Sequence, residues 1–324
     1  MTSCAAIKTA RWRLYFLGLL ASLFFAVTFV ANEAIALSGG SWLWNAPLRY
    51  FFTLPFLFAY VLWKRRAAIL LRAVARDFAR WMAYGTVGFG LFYAPLCLAN
   101  AYGPAWLVAG VWQITIVCGA LLTPWVSARL PDGRRPPVPR RELVTSAGIV
   151  AGALLLEMAG ASHMSWVQAA LCAGAILVAA VAYPAGNRMA MRAYAGTFDP
   201  LERMLGMTLG SLPFWFACSA AGAVSAGWPS ARQLLGALLV AVCSGVIATA
   251  LFFRATDLAH GSPRDLAVVE ATQAGEVVFA LLLELCVIPG DHVSWLGAMG
   301  LATVVAGLCV HGFALAGGSH RGTP

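Results

Sequence analysis

An all-α integral membrane fold of ten transmembrane helices, arranged as two inverted five-helix repeats, is the architecture this sequence predicts. Three observations carry that expectation. Of the 324 residues, 61% are hydrophobic and only 11% charged, where a soluble domain carries about 25% charge; mean hydropathy is +0.79. Apolar runs of roughly 17 to 25 residues, each long enough to cross a bilayer, recur down the whole chain. The two halves also resemble each other at a steady offset of about 155 to 160 residues.

Lys8, Arg11 and Arg13 precede the first span, 14–37. Its apolar run exceeds the roughly 7 to 15 residues of a signal-peptide core, so it reads as an uncleaved span. The second span, 46–63, ends at the basic stretch that begins with Lys64, Arg65 and Arg66. The third and fourth, 81–101 and 104–126, lead into "SARLPDGRRPPVPRRE" (127–142), a polar, Pro-rich linker. The remaining spans fall at 143–160, 166–186, 201–222, 233–253, 266–288 and 294–316. Helices are the choice because lipid offers the backbone no partner outside the span. Trp42, Trp44, Trp63, Trp81, Trp125, Trp166 and Trp295 fall near span ends, where aromatic belts form. "GIVAG" (148–152) and "GMTLG" (206–210) are patterns of small residues that let helices approach closely. No interval between spans is long enough for a soluble domain. Residues 1–324 are therefore one membrane domain, with 14–160 (including the 127–142 linker) as first repeat and 166–316 as second.

The formal net charge is +9. In a soluble protein that suggests nucleic acid or anionic partners. Here the basic residues sit between spans, so no nucleic-acid partner is expected and the charge sets orientation. With the N-terminus in the cytoplasm, twenty of the 22 Lys and Arg residues lie on one side, and only Arg49 and Arg232 on the other. Both termini are expected in the cytoplasm, in a multi-pass protein of the cell (inner) membrane. The eight cysteines form no CxxC pair and read as small apolar residues, not as a metal site. No cofactor and no metal are expected.

The internal similarity is specific in places. "QITIVCGALLTP" (113–124) aligns without gaps on "QAGEVVFALLLE" (273–284), and "TLPF" (53–56) matches "SLPF" (211–214). Gly18 pairs with Gly174, and Asn32 with Asn187. Five spans is an odd number, so the second half enters the membrane upside down. Inverted repeats place substrate near the midplane, between the halves.

On these residues the chain resembles the drug/metabolite transporter superfamily, EamA type, and within it the multidrug resistance efflux transporter group. Glu270 and Glu284 have the spacing of the acids in that superfamily's ninth span, and Arg49 in "APLRYFF" matches a basic residue early in its second. Ala271 stands where the family has proline, and Pro124 replaces the terminal glutamate of the first half. Glu276, in "QAGE", is similar to the multidrug group. The resemblance implies a secondary transporter, not an enzyme, and so no catalytic residues. Its cargo would be an amino acid, metabolite, nucleotide precursor or drug.

"VVEATQAGEVVFALLLEL" (268–285) carries three glutamates in one apolar stretch. An ionised acid at the bilayer centre costs roughly 3 kcal/mol. At about 100° per residue, Glu284 lies about 40° from Glu270 and Glu276 about 120° from it, so the three share no narrow stripe. Glu276 is nearest mid-depth. Such a carboxyl can hold a proton in the empty site and release it to an arriving cation; the alternative is packing glue between helices. Glu270 reads as a gate or relay near the cytoplasmic mouth, or as a partner of Arg264. Glu284 lies near the outer interface, where an acid can reach water or end a helix. Glu33 and Arg49 are expected to pair, as structure or gate, because a membrane charge usually finds a partner. Glu157 and His311 are weaker pathway candidates. Trp112, Gln113, Tyr93 and Trp215 lie at mid-depth, where aromatic faces attract cations; Gln113 is also the repeat partner of Gln273.

No GxxxxGK[ST], HExxH or GxSxG motif is present, which argues against P-loop pumps and membrane proteases of those types. The leading expectation is a secondary exporter of a small cationic or amphipathic compound, coupled to protons and working as a monomer or homodimer in the lipid bilayer. An amino acid or other metabolite is the alternative cargo. A lipid flippase or lipid-modifying enzyme is the alternative of another class, disfavoured because the acids are spread through the membrane depth.

Overall fold

The computed structural model describes residues 2–318 except 127–131, 139, 162–163, 195, 259–268, 270–271 and 289–292. Every regular element among them is a helix. Seven stretches are long and apolar enough to cross a membrane: Arg13–Leu37, Trp42–Trp63, Phe78–Ala99, Ala105–Val126, Trp166–Tyr194, Pro200–Ala226 and Ala231–Thr256. Ala147–Gly160 and Trp295–His311 are shorter apolar helices. The chain is a multi-pass membrane protein.

Helix α1 (Thr2–Leu37) is followed by α2 (Trp42–Trp63). α2 starts four residues before the expected span, because the Ser41 hydroxyl accepts the Leu43 N–H at 3.3 Å and caps it. The basic loop after α2 holds an unexpected short helix, α3 (Ala67–Arg76). Leu70 and Val74, one turn apart, are its buried face, while Arg72 and Arg76 point outward.

Several membrane helices are irregular. α4 (Phe78–Gly85) passes through a π-helical segment, Thr86–Gly90, into α5 (Leu91–Ala99). α12 (Ala231–Val240) does the same through Ala241–Ala248 into α13 (Thr249–Leu258). The fourth span is broken at Gln113–Ile114 into α6 (Ala105–Trp112) and α7 (Thr115–Val126). α14 (Ala274–Val287) begins after a turn at Thr272 and Gln273. Between these lie α8 (Arg140–Thr145), α9 (Ala147–Ala161), α10 (Trp166–Tyr194) and α11 (Pro200–Ala226); α15 (Trp295–Gly318) closes the order.

The small-residue patterns lie at close crossings, as expected. α9 packs on α15 so tightly that a Cβ on Gly152 would stand 2.6 Å from the Val304 backbone nitrogen. A Cβ on Gly210 of α11 would strike the backbone of Trp81 and Met82. Trp63, Trp125, Trp166 and Trp295 are exposed at helix ends, as an aromatic belt requires. Trp44 and Trp81 are not; both are buried. Trp81 stacks on Tyr194 with ring centroids 3.9 Å apart, which fixes α4 on α10.

Polar contacts tie both ends. At the end carrying the basic loops, Asp199 and Glu202 form a capping box on α11. Lys64 Nζ lies 3.2 Å from Asp199 Oδ2, the Tyr60 hydroxyl donates to the same oxygen at 3.0 Å, and Arg66 pairs with Glu202. Burial works to raise the Asp199 carboxyl, but the Glu202 N–H, Lys64 and Tyr60 outweigh it and hold it below the ordinary carboxylate value. At the opposite end, Trp44 Nε1 donates to Gly227 O at 2.8 Å and Gln233 Nε2 to Ser41 O at 2.6 Å.

Candidate functional site

The break after α6 and the turn that precedes α14 lie on two helices packed together. Gln113, 1% exposed, caps the C-terminus of α6. Gln273 stands at the N-cap of α14, and its carbonyl accepts the Glu276 N–H at 2.9 Å. Glu276 sits in the first turn of α14, with its carboxyl within interaction range of the Gln113 side chain. The Gln113 Nε2 also donates to Ala109 O at 3.3 Å. A carboxyl beside an amide within a membrane helix bundle is the kind of polar pair a membrane core retains for binding.

Arg49 reaches the same region from α2. Its Nη2 donates to Ser244 Oγ at 2.8 Å, and its Cζ lies 4.2 Å from the centroid of the Tyr93 ring, a cation–π contact. Tyr93 is fully buried, and its hydroxyl meets the Asn32 amide at 3.1 Å from Nδ2 and 3.2 Å from Oδ1. Asn45 continues the chain, donating to Asn32 Oδ1 at 3.5 Å. Four helical elements thus contribute to one polar string, from Asn45 and Asn32 through Tyr93 and Arg49 to Ser244.

Aromatic rings line the other side. Trp112 lies 5.1 Å from Phe92 and 5.6 Å from Tyr183, centroid to centroid. Tyr183, on α10, is within electrostatic reach of both Glu276 and Arg49, and Arg49 is within reach of Glu276. Tyr183 is 40% exposed, and Glu276 and Arg49 are only half-buried. The three thus gather charged and polar groups from α2, α10 and α14. A carboxyl, a guanidinium, an amide and a group of aromatic rings are therefore brought into one region, the kind of set from which ligand sites are built.

Other expected residues are placed elsewhere. Trp215 is fully buried; it stacks on Tyr50 at 4.6 Å and donates to Ser211 Oγ at 3.0 Å. The expected Glu33–Arg49 pair is not among the described ion pairs. Glu33 Oε2 instead accepts the Ala105 N–H at 2.7 Å, while Arg49 turns to Ser244 and Tyr93. Glu284 does not reach water: it is fully buried, and its Oε2 accepts the Trp106 N–H at 2.6 Å. Glu157 is half-buried on α9, within electrostatic reach of Cys172. His311 Nδ1 lies 3.0 Å from Ser146 Oγ, joining α15 to the start of α9. Glu270, Arg264 and Ala271 lie outside the described residues. Sequence reasoning missed Tyr183, Phe92 and Ser244. Tyr183 had a signal, since "AYPAGN" breaks an otherwise aliphatic sixth span.

A family profile described as "EmrE: Putative multidrug resistance efflux transporter" matches residues 12–316. The chain belongs to that family. The match includes Arg49, Gln113, Tyr183 and Glu276. A Bacillus subtilis (strain 168) relative, "Uncharacterized protein YjlA", is 46% identical over 303 residues, which is 92% of this chain and 94% of that protein. A Shouchella clausii relative, "Uncharacterized 42.1 kDa protein in intracellular alkaline protease 3'region", is 40% identical over 262 residues, 80% of this chain and 69% of that protein. One crystal structure superposes with a TM-score of 0.63 over 95% of this chain and 99% of its own, at 17% identity, a likeness of fold alone. The family is described as one of transporters, which suggests a transporter rather than an enzyme.

Proposed function

We propose that this chain is a secondary exporter that works by alternating access and couples export to protons through Glu276. The observation that carries the reading is that Glu276, Gln113 and Gln273 come together where the fourth span is broken and α14 starts after a turn. Discontinuous helices at corresponding positions mark the ligand site in inverted-repeat transporters. The repeat itself is supported by a second correspondence: the π-helical segments begin at Thr86 and Ala241, at the same offset as the sequence matches. One chain then contains both halves of the route, and a monomer suffices. The basic loops orient both termini toward the cytoplasm of a cell whose inner membrane holds the protein.

Glu276 and the Trp112–Phe92–Tyr183 wall suit a small cationic or amphipathic substrate. In the cycle, the cation displaces a proton from Glu276 on the cytoplasmic side, and a proton from outside displaces the cation after the protein reopens. Arg49 favours a second reading. A guanidinium beside the carboxyl opposes a simple cation and welcomes an anionic group, as in an amino acid or other zwitterionic metabolite. Everted membrane vesicles with a proton gradient decide the first reading. Gradient-dependent accumulation of ethidium or another cationic dye is expected for the wild type and not for Glu276→Gln. Transport that survives the substitution would reduce Glu276 to packing, and no dye transport by well-inserted wild type would remove the cationic cargo.

A further inference from the structure

Two carboxylates outside the transport site converge on one helix end. Glu33 of α1 and Glu284 of α14 are 7% and 0% exposed. They accept the N–H groups of Ala105 and Trp106 at 2.7 and 2.6 Å. These are the first two N–H groups of α6, which have no acceptor inside the helix. Pro104, at the N-cap, supplies no side-chain cap. The positive end of the helix dipole adds to the attraction for both acids, and charge-assisted bonds of this length are the strong ones. The clamp crosses halves: Glu33 and α6 lie in the first, Glu284 in the second. The same two helices, α6 and α14, carry Gln113 and Glu276 at their other ends. Parting α14 from α6 beyond the site requires breaking the Glu284 bond.

A separate observation opposes closure. Asn100, at the end of α5, is 2% exposed, and among the described residues neither its Oδ1 nor its Nδ2 has a partner. It follows Tyr93 and Cys97 at helical spacing and so shares the face that runs from the site toward this end. A buried amide without partners is costly, and water relieves it when the end opens.

We propose that Glu33 and Glu284, clamped on the N-terminus of α6, are the latch of the outer gate, and that buried Asn100 is the element that opposes it. The proposal rests on the alternating-access reading and on cytoplasmic termini, which make this the outer end. A latch and an opposing group give the two-state behaviour that a gate needs.

The test uses the full chain in lipid nanodiscs with spin labels at Tyr102 and Val287, both exposed. These positions flank the clamp on the α5–α6 turn and the end of α14. Pulsed electron–electron resonance reads the distance distribution between them. The parent is expected to show a dominant short-distance population. Glu284→Ala and Glu33→Ala are expected to move weight to longer distances, and Asn100→Leu to restore the short population in the Glu284→Ala background. Glu284→Gln, which keeps an acceptor oxygen and the packing volume, should show a smaller shift of the same sign and serves if the alanine variant does not fold. A distribution unchanged by the Glu284 and Glu33 variants, or lengthened by Asn100→Leu, overturns the proposal. The readout needs no transport. A chain that moves no dye but shifts its distances as described keeps the gate and loses the cationic-exporter reading.

Discussion

Alanine at Gly152 and at Gly174 adds the same methyl group to two membrane helices and should change stability in opposite directions. At Gly152 the new Cβ would lie 2.6 Å from the Val304 nitrogen and 3.0 Å from the Gly300 carbonyl oxygen, where ordinary contact begins at 3.4 Å. Both obstacles are backbone, so α9 and α15 must part by about 0.8 Å. Overpacking of that kind costs about 1–3 kcal/mol. At Gly174 nothing lies within 4 Å of the Cβ position. The gain in helix propensity, about 1 kcal/mol, applies at both sites and cancels in the comparison. The two variants should therefore differ by about 1–3 kcal/mol, with Gly152→Ala the less stable. The effect should reach the site, because Leu156 of α9 packs against Gly110 of α6. Thermal unfolding in one detergent, followed by the folded fraction surviving size exclusion, measures the difference. Equal melting of the two variants, or a more stable Gly152→Ala, would refute the close crossing of α9 and α15.

Arg49→Gln removes the guanidinium from the site and separates the two cargo readings. A unit charge in such a partly screened site is worth about 1–2 kcal/mol, so equilibrium binding of a cationic dye should strengthen roughly tenfold and that of a zwitterion weaken roughly tenfold; equal changes for both would leave Arg49 a packing residue held by Ser244 and Tyr93. Asp199→Ala should destabilise the protein by about 1 kcal/mol through loss of the α11 N-cap, whereas Lys64→Met should cost less, because water screens an exposed ion pair. Since the Asp199 carboxyl is held below its ordinary value, its contribution is full above about pH 4 and fades as pH falls through the folded-state value. A stability profile of wild type against Asp199→Ala should converge in acid, and a constant gap down to pH 2 would contradict the assignment.

Much of the fold was legible because length and apolarity alone decide what crosses a bilayer. "GIVAG" and "GMTLG" announced close crossings, since only small residues let backbones meet. The helix breaks were legible only in outline. Gln113 and Gln273 aligned in the repeat, but nothing local in "WQIT" or "TQAG" states that the helix stops there; that depends on the neighbouring helix. The acids show the limit most clearly. Glu33 and Arg49 have opposite charge on adjacent spans, yet each found a better partner on a third helix, and a pairwise argument cannot see a third helix. Glu284 read as interfacial from its place in the span, while the free N–H groups of α6 drew it into the interior. Tyr183 was hidden because periodicity says little in a span that is apolar all round.

The claim that Glu276 exchanges a proton for substrate is tested most directly by proton release. Ethidium added to purified protein in weakly buffered detergent, with a pH indicator, should release protons from the wild type as it binds and none from Glu276→Gln. Ethidium binding without proton release, or equal release from both proteins, would contradict the account.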